Sequence, residues 1–417
     1  MSKWSDRDKA HLWHPLTQHG LHPNHKAIVE AKGIYLIDEV GERYIDAISS
    51  WYTCMYGHSN PHIVNRVKKG LDQLDQVVFS GFTHPPAIQF SESLTSILPG
   101  DLTKVFFSDN GSTAVDVALK MAFQFHFNQG QKRNKVVALS EGFHGDTFGA
   151  MSVSDLSVYN GPFEQFFLEV ERFDWQNNTL GDFEKMVSQE SVASFIYEPL
   201  VQGAAGMKMI PAHLLNDLLL IAKKHGVVCI ADEVMTGFGK TGSNFASDQI
   251  TTKPDIMCLA KSLTGGIAPM AVTVATQNIY NAFLSDQLVD GFFHGHTYSA
   301  NPLACNAATA AIELLTSQVI VEGLERIGKQ NQSFIKKLKG NKKVKNLRHI
   351  GVIMALDLVV EGERYGKSRD KLFNFFMSKG VFLRPLGNTI YIVPPFTIGE
   401  QELNYLHQII EESLDII

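Results

Sequence analysis

The chain has 417 residues, 44% hydrophobic and 19% charged, with 33 Gly and 15 Pro, a composition that excludes disordered, collagenous and low-complexity chains. A balance of 37 basic against 43 acidic residues gives a net charge of -6. Apart from a short basic stretch from Lys336 to Arg348 the charges are interspersed, so nucleic-acid and membrane-surface binding have no electrostatic support. The cysteines (Cys54, Cys229, Cys258, Cys305) lie far apart with no CxxC pair, which argues against a disulfide framework or a cysteine metal motif. No run approaches the roughly 18 to 20 apolar residues of a membrane span, and MSKWSDRDKAHLWHP lacks the apolar core of a secretion signal. A soluble cytoplasmic protein is expected.

In chain order, residues 31–48 alternate around Val40-Gly41 and predict a β-hairpin in an N-terminal segment, 1–61. From about residue 62 to 318, short apolar runs (KVFFS, KVVALS, VASFIYE, VVCIADE, DIMCLA, MAVTVAT) alternate with helical patterns such as Ser112 to Phe127. That rhythm predicts a large α/β domain built on a mostly parallel, helix-covered sheet. Near residue 318 the rhythm changes. A long helical stretch, Val319 to Leu338, then GVIMALDLVV, an amphipathic helix around Lys371, VFLRPLGNTIYIV and a final helix predict a smaller α+β domain, 319–417.

In open parallel sheets ligands collect beyond the C-terminal strand ends, so polar residues just after the apolar runs are the candidates for chemistry. In VFFSDNGSTAVDVALKMA a strand passes through Asn110, Gly111 and Ser112 directly into a helix, whose N-terminus can cradle an anion or simply carry an ordinary cap. In EGFHGDT, Phe143 and His144 follow KVVALS and offer an aromatic face. Asp232 and Glu233 close VVCIADE, where a desolvated carboxylate requires a cationic partner, either a structural ion pair or a protonated ring nitrogen. Lys261 follows DIMCLA and precedes Gly265-Gly266; beside an apolar sheet edge its amine can be held neutral for Schiff-base chemistry. Asp232 and Lys261 stand at the ends of successive strands and so face one crevice. An anion cradle, an aromatic plate, a buried Asp and a strand-end Lys are what pyridoxal phosphate requires.

The ordered motifs NGS, FHGD, YEP, ADEVMTGFGKTG, KSLTGG and HGHTYSANPLACNAA resemble the class III (ω-) aminotransferases of fold type I over nearly the whole chain. The resemblance implies a homodimer with shared active sites, in which Lys261 is the Schiff-base lysine and Asp232 the partner of the pyridinium nitrogen. It makes Gly111 and Ser112 the phosphate ligands, joined by Thr297 from the second subunit, with Phe143 over the ring. Trp51 and Tyr52 would wall the substrate pocket, Gly295 and His296 would bind substrate, and Arg384 would hold a substrate carboxylate near Tyr391. LWHPLTQ, SSWY and GVFLRPLGNTIYIVPP are similar to the members that aminate 8-amino-7-oxononanoate with S-adenosyl-L-methionine as donor. Against that pattern the chain has Leu16 and Phe143 where tyrosines are usual, and Tyr52 in place of a second tryptophan. The missing hydroxyls lie on the amino-donor side, which leaves lysine as an alternative donor and other ω-aminotransferase activities as alternatives.

Two further patterns point elsewhere. Residues 237–242, GFGKTG, match GxGxxG, but the polar SNFASDQ that follows does not start the apolar helix a dinucleotide needs. His11, His14, His19, His22 and His25 crowd the N-terminus with HxxH spacing, but no cysteine or acidic ligand is expected to accompany them, and Pro15 and Pro23 interrupt any aligning helix. No metal is expected there. Trp13, His14 and Pro15 read instead as part of a substrate lid.

Overall fold

The strands β1 (Ile28–Lys32), β2 (Tyr35–Asp38) and β3 (Arg43–Asp46) form an antiparallel meander, with the anticipated Val40-Gly41 turn between β2 and β3. The computed structural model describes residues 3–155, 161–360 and 366–416. Its central sheet has seven strands: β4 (Leu102–Ser108), β5 (Lys135–Leu139), β6 (Val170–Phe173), β7 (Val192–Tyr197), β10 (Val228–Asp232), β11 (Ile256–Leu259) and β12 (Ala271–Thr276), in the order β4-β12-β11-β10-β7-β5-β6. The two short strands β8 (Val201–Gln202) and β9 (Lys208–Met209) pair separately. Strand β12 runs antiparallel to both neighbours and the other pairings are parallel.

Every residue of VASFIY in β7 and of VCIAD in β10 is buried, the continuous apolar pattern of strands covered on both faces. The helix Gly111–Asn128 buries Ala114, Val117, Ala118 and Met121 among other residues and belongs to one core layer; Leu215, Leu218 and Leu219 of the helix Ala212–Lys224 belong to the other. Because β5, β7, β10 and β11 are parallel, and β4 is antiparallel to a strand that is itself antiparallel to β11, the C-terminal ends of all five share one edge. Segments 109–112, 140–146, 198, 232 and 260–266 therefore leave the sheet together.

The C-terminal region has an antiparallel sheet of β13 (Val344–Ile350), β14 (Ile353–Leu358) and β16 (Thr389–Ile392), with helices Gln318–Leu338, Lys367–Ser378 and Glu400–Ser413. Its strand β15 (Val381–Phe382) instead pairs in parallel with β3 and completes a four-stranded sheet with the N-terminal meander. The two chain ends are thus joined by backbone hydrogen bonds just before Arg384. The GFGKTG segment lies against the β13–β14 turn: a Cβ at Gly351, which sits at φ 54°, would strike Lys240, Thr241 and Gly242, and Val352 N donates to Lys240 O at 3.0 Å. After Gly242 comes only a four-residue helical turn, Ala246–Gln249. Among the described residues, no single helix is long and apolar enough to cross a membrane.

Candidate active site

At the shared sheet edge lies a cavity of about 660 Å³, lined by Gly111, Ser112, Phe143, Asp232 and Lys261 from the central sheet and by Trp51, Tyr52, Arg384 and Tyr391 from the terminal regions. One helix start, two strand ends and one loop supply the first group. Asn110 caps the helix by accepting from Thr113 N at 3.1 Å. The N–H groups of Gly111 and Ser112 remain beside the cavity, at the positive end of the helix. Gly111 is required by packing, since a Cβ there would come within 2.7 Å of Val234 Cγ1.

Asp232 and Glu233 separate as adjacent residues at a strand end do. Glu233 turns inward, where its carboxylate accepts from Thr236 Oγ1 (2.8 Å), Ala246 N (3.0 Å) and Ser247 N (2.7 Å). Asp232 lines the cavity, accepting from Val234 N at 3.0 Å, with Oδ2 lying 2.6 Å from Nδ1 of His144. Both side chains of that pair are buried, and Nε2 of His144 has no hydrogen-bond partner among the described residues. An ionised carboxylate only accepts, so Nδ1 donates and the pair has a fixed orientation.

Lys261 Nζ lies 5.3 Å from the centre of the Tyr52 ring. Burial lowers its pKa below the ordinary 10.5, opposed by the negative charges of Asp232 and Glu198. The amine is thus drawn towards its neutral, nucleophilic form.

The substrate-side wall has an unusual backbone. Ser49, Ser50, Trp51 and Tyr52 have φ of 50°, 47°, 64° and 69°, a run of left-handed residues without glycine that costs on the order of 1 to 2 kcal/mol at each position. Trp51 is part-exposed beneath the Arg384 guanidinium, which sits 5.0 Å from its ring centre. Tyr52 donates its hydroxyl to that of the fully buried Tyr391 at 3.1 Å. Leu16 also lines the cavity, whereas Trp13 of the expected lid is 90% exposed and does not.

Gly295, His296 and Thr297 are not among the described residues lining the cavity of their own chain. Two other cavity residues were not singled out from the sequence. Glu198, seen there only within YEP, is buried and accepts from Phe143 N (3.0 Å) and Gly203 N (2.9 Å). Burial pushes its pKa up to about 7, against the lowering effect of His144. Its place directly after an apolar strand is the signal that marked Asp232. Arg369, on the helix Lys367–Ser378, adds a second guanidinium to the cavity and pairs with Asp370 at 2.8 Å; its helical position carries no such signal.

The N-terminal histidines require a correction. Asp8, from the helix Lys3–His11, does accompany them: it lies 2.9 Å from Nε2 of His14 and 3.4 Å from Nδ1 of His25. The helix brings back a carboxylate six residues before His14, a proximity that the prolines do not prevent. The His14 and His25 rings are stacked 3.7 Å apart, and one ligand atom from each of Asp8, His14 and His25 lies within 4.8 Å of the other two, a grouping that could hold a metal ion.

The donors fit pyridoxal phosphate: a helix N-terminus for its phosphate, a buried carboxylate oriented by His144 for its ring nitrogen, and an amine of lowered pKa for its aldehyde. Comparison with known proteins agrees. The family model for class III aminotransferases matches residues 17–414. The adenosylmethionine-8-amino-7-oxononanoate aminotransferase of Synechococcus elongatus is 41% identical, covering 98% of this chain and 99% of its own. That of Helicobacter pylori is 34% identical, over 98% and 97%. The crystal structure of the enzyme of that name from Methanocaldococcus jannaschii superposes with a TM-score of 0.93 at 34% identity, over 99% of this chain and 98% of the other. An amine transaminase from an uncultivated Pseudomonas species, in its pyridoxal-phosphate-bound form, gives 0.91 at 28% identity, over 97% and 98%. The chain belongs to the class III aminotransferases, with the fold type I architecture its sequence implied.

Proposed function

We propose that this aminotransferase converts 8-amino-7-oxononanoate to 7,8-diaminononanoate in biotin biosynthesis, with S-adenosyl-L-methionine as amino donor, in the cytoplasm. The observation that carries the reading is the convergence of Lys261, Asp232 and Arg384 on one cavity. Pyridoxal phosphate, when bound, supplies an aldehyde that takes up amines and a ring that draws electrons from the substrate carbon.

The residues divide the remaining work. Gly111 and Ser112 hold the phosphate, joined in a homodimer by Thr297 of the partner subunit, with the partner's Gly295 and the partner's His296 beside the substrate. Phe143 covers the ring. Asp232, oriented by His144, keeps the ring nitrogen protonated. Lys261 would hold the aldehyde end, and its Nζ would give a proton to or take one from the substrate carbon, a role suited to an amine whose pKa is lowered by burial. Trp51 and Tyr52 form an apolar wall for the aliphatic chain, and Arg384, beside Tyr391, takes the terminal carboxylate in a bidentate grip. Residues 62–318 form the cofactor-binding domain and 319–417 the small domain, with segment 1–61 closing the substrate side.

The test is to incubate the purified holoenzyme with 8-amino-7-oxononanoate and a panel of donors that includes adenosylmethionine and lysine, and to follow product by mass spectrometry. Diaminononanoate formation with adenosylmethionine is expected. Turnover of ornithine or γ-aminobutyrate without turnover of the oxo-acid refutes the assignment, and product with lysine alone replaces the donor.

A further inference from the structure

The left-handed run Ser49–Tyr52 carries Trp51 and Tyr52, two of the aromatic residues that line the cavity. L-residues keep that conformation only where their surroundings over-determine it. Buried polar side chains surround this run on two sides. On one side is Asp46, the last residue of β3, with no exposed surface. Its Oδ2 accepts from Ser50 Oγ at 2.8 Å and lies 2.8 Å from Nε2 of His58, while Oδ1 accepts from Ile48 N at 3.3 Å. His58 is itself fixed by reciprocal backbone hydrogen bonds with Gly33, of 2.6 and 3.0 Å. Burial, the largest single effect, lowers the His58 pKa, but the hydrogen bonds and charges of Asp46 and Cys54 together outweigh it and bring the imidazole to about 9. The imidazole is therefore protonated at neutral pH.

On the other side is Lys240, also without exposed surface. Its Nζ donates to Gly237 O at 2.5 Å and to Ser262 Oγ at 2.6 Å, and Ser262 Oγ in turn donates to Tyr52 O at 2.6 Å. Ser262 is the chain neighbour of Lys261. Asp46, His58 and Lys240 are not among the described residues lining the cavity. A lysine is rarely left fully buried without a role, because desolvating its charge is costly.

We propose that Asp46 with His58, and Lys240 through Ser262, are positioning residues for substrate recognition: they hold Ser49–Tyr52 in its left-handed turn and so set where Trp51 and Tyr52 meet the substrate. The inference rests on the reading of Trp51 and Tyr52 as the substrate wall. The competing explanation is that Ser50, which also lines the cavity, touches substrate with its hydroxyl while the buried polar groups only support the fold.

Two substitutions at one position separate these explanations in the holoenzyme. Ser50→Ala and Ser50→Gly both delete the hydroxyl, but alanine must still be held at φ 47° whereas glycine adopts that angle freely. Ser50→Ala is expected to raise the KM for the oxo-acid about tenfold, with kcat and melting temperature little changed, while Ser50→Gly stays near wild type. Ser262→Ala, at the second anchor, gives the same rise. With Trp4, Trp13 and Trp175 replaced by phenylalanine, the fluorescence anisotropy of Trp51 without substrate falls in Ser50→Ala and holds in Ser50→Gly. Wild-type KM in Ser50→Ala, or equal losses in the alanine and glycine variants, overturns the proposal. An unchanged KM in Trp51→Ala refutes the substrate wall itself, and the substrate-free anisotropy series then still decides whether the anchors hold the turn.

Discussion

Replacing Glu198 with glutamine should remove a large part of the pH dependence of stability in the cofactor-free protein. Burial, with a further contribution from Asp232, raises this carboxyl from an ordinary 4.5 to about 7, against the lowering effects of His144 and the N–H groups of Phe143 and Gly203. A raised folded-state pKa means that the native state binds the proton more tightly than the unfolded chain does. The stabilisation is therefore complete below the unfolded value and is lost as pH rises through about 7. At about 1.4 kcal/mol per tenfold change in proton affinity, the loss between pH 5 and pH 8 is on the order of 2 to 3 kcal/mol. Glutamine carries no titrating proton. Its amide NH₂ must face one of the two N–H donors, so the variant is less stable at every pH and only the slope is diagnostic. Calorimetric melting of both proteins across that range is the assay. A wild-type advantage that shrinks towards pH 8 is expected; parallel curves for the two proteins would show that Glu198 does not titrate there.

Three other substitutions test the site directly. Lys261→Ala should lower transamination by at least about a thousandfold while keeping or raising the melting temperature, because a desolvated amine is removed; borohydride reduction of the wild-type holoenzyme should fix the cofactor to the peptide bearing Lys261, and label on another lysine refutes the assignment. Asp232→Asn should retain bound cofactor, seen by visible absorption, and lose about a hundredfold or more in kcat, since an amide cannot hold the ring nitrogen protonated; near-normal turnover would make the carboxylate structural. Arg384→Ala should cut kcat/KM for the oxo-acid by roughly thirtyfold or more, with Arg384→Lys restoring little because an ammonium lacks the planar fork; equal losses in the two half-reactions, measured by stopped flow, would remove Arg384 from carboxylate recognition.

The parts of the site that were legible in the sequence share one physical feature: each follows a strand of the central sheet at the edge where the strands' C-terminal ends meet. Asp232 and Lys261 follow runs whose every residue is apolar, and a polar side chain in such a place has either an unusual partner or a task. Pairing β10 with β11 in parallel puts them on one edge, as their spacing implied. Glu198 obeys the same rule after β7 and was available to the same reasoning. His144 showed in the sequence as an aromatic neighbour of Phe143, but its hydrogen bond to Asp232 spans 88 residues, and no local pattern encodes that distance.

What was not legible depends on the chain closing on itself. Strand β15 has two residues and pairs with β3 more than 300 positions earlier, a contact with no periodicity to announce it. Yet that pairing places Arg384 against Trp51 and Tyr391 against Tyr52, because each partner is within six residues of a paired or buried strand of the opposite terminus. The left-handed run at Ser49–Tyr52 is hidden for a related reason. Left-handed turns are usually signalled by Gly or Asn, and here the sequence offers Ser-Ser-Trp-Tyr. Around the run lie Asp46 and His58 from the flanking segment, which accept from or pair beside Ser50, and Ser262 with Lys240 from far along the chain, which reach the Tyr52 carbonyl. The cofactor side is therefore built by local strand-end chemistry, which sequence patterns report, and the substrate side by long-range contacts, which they do not.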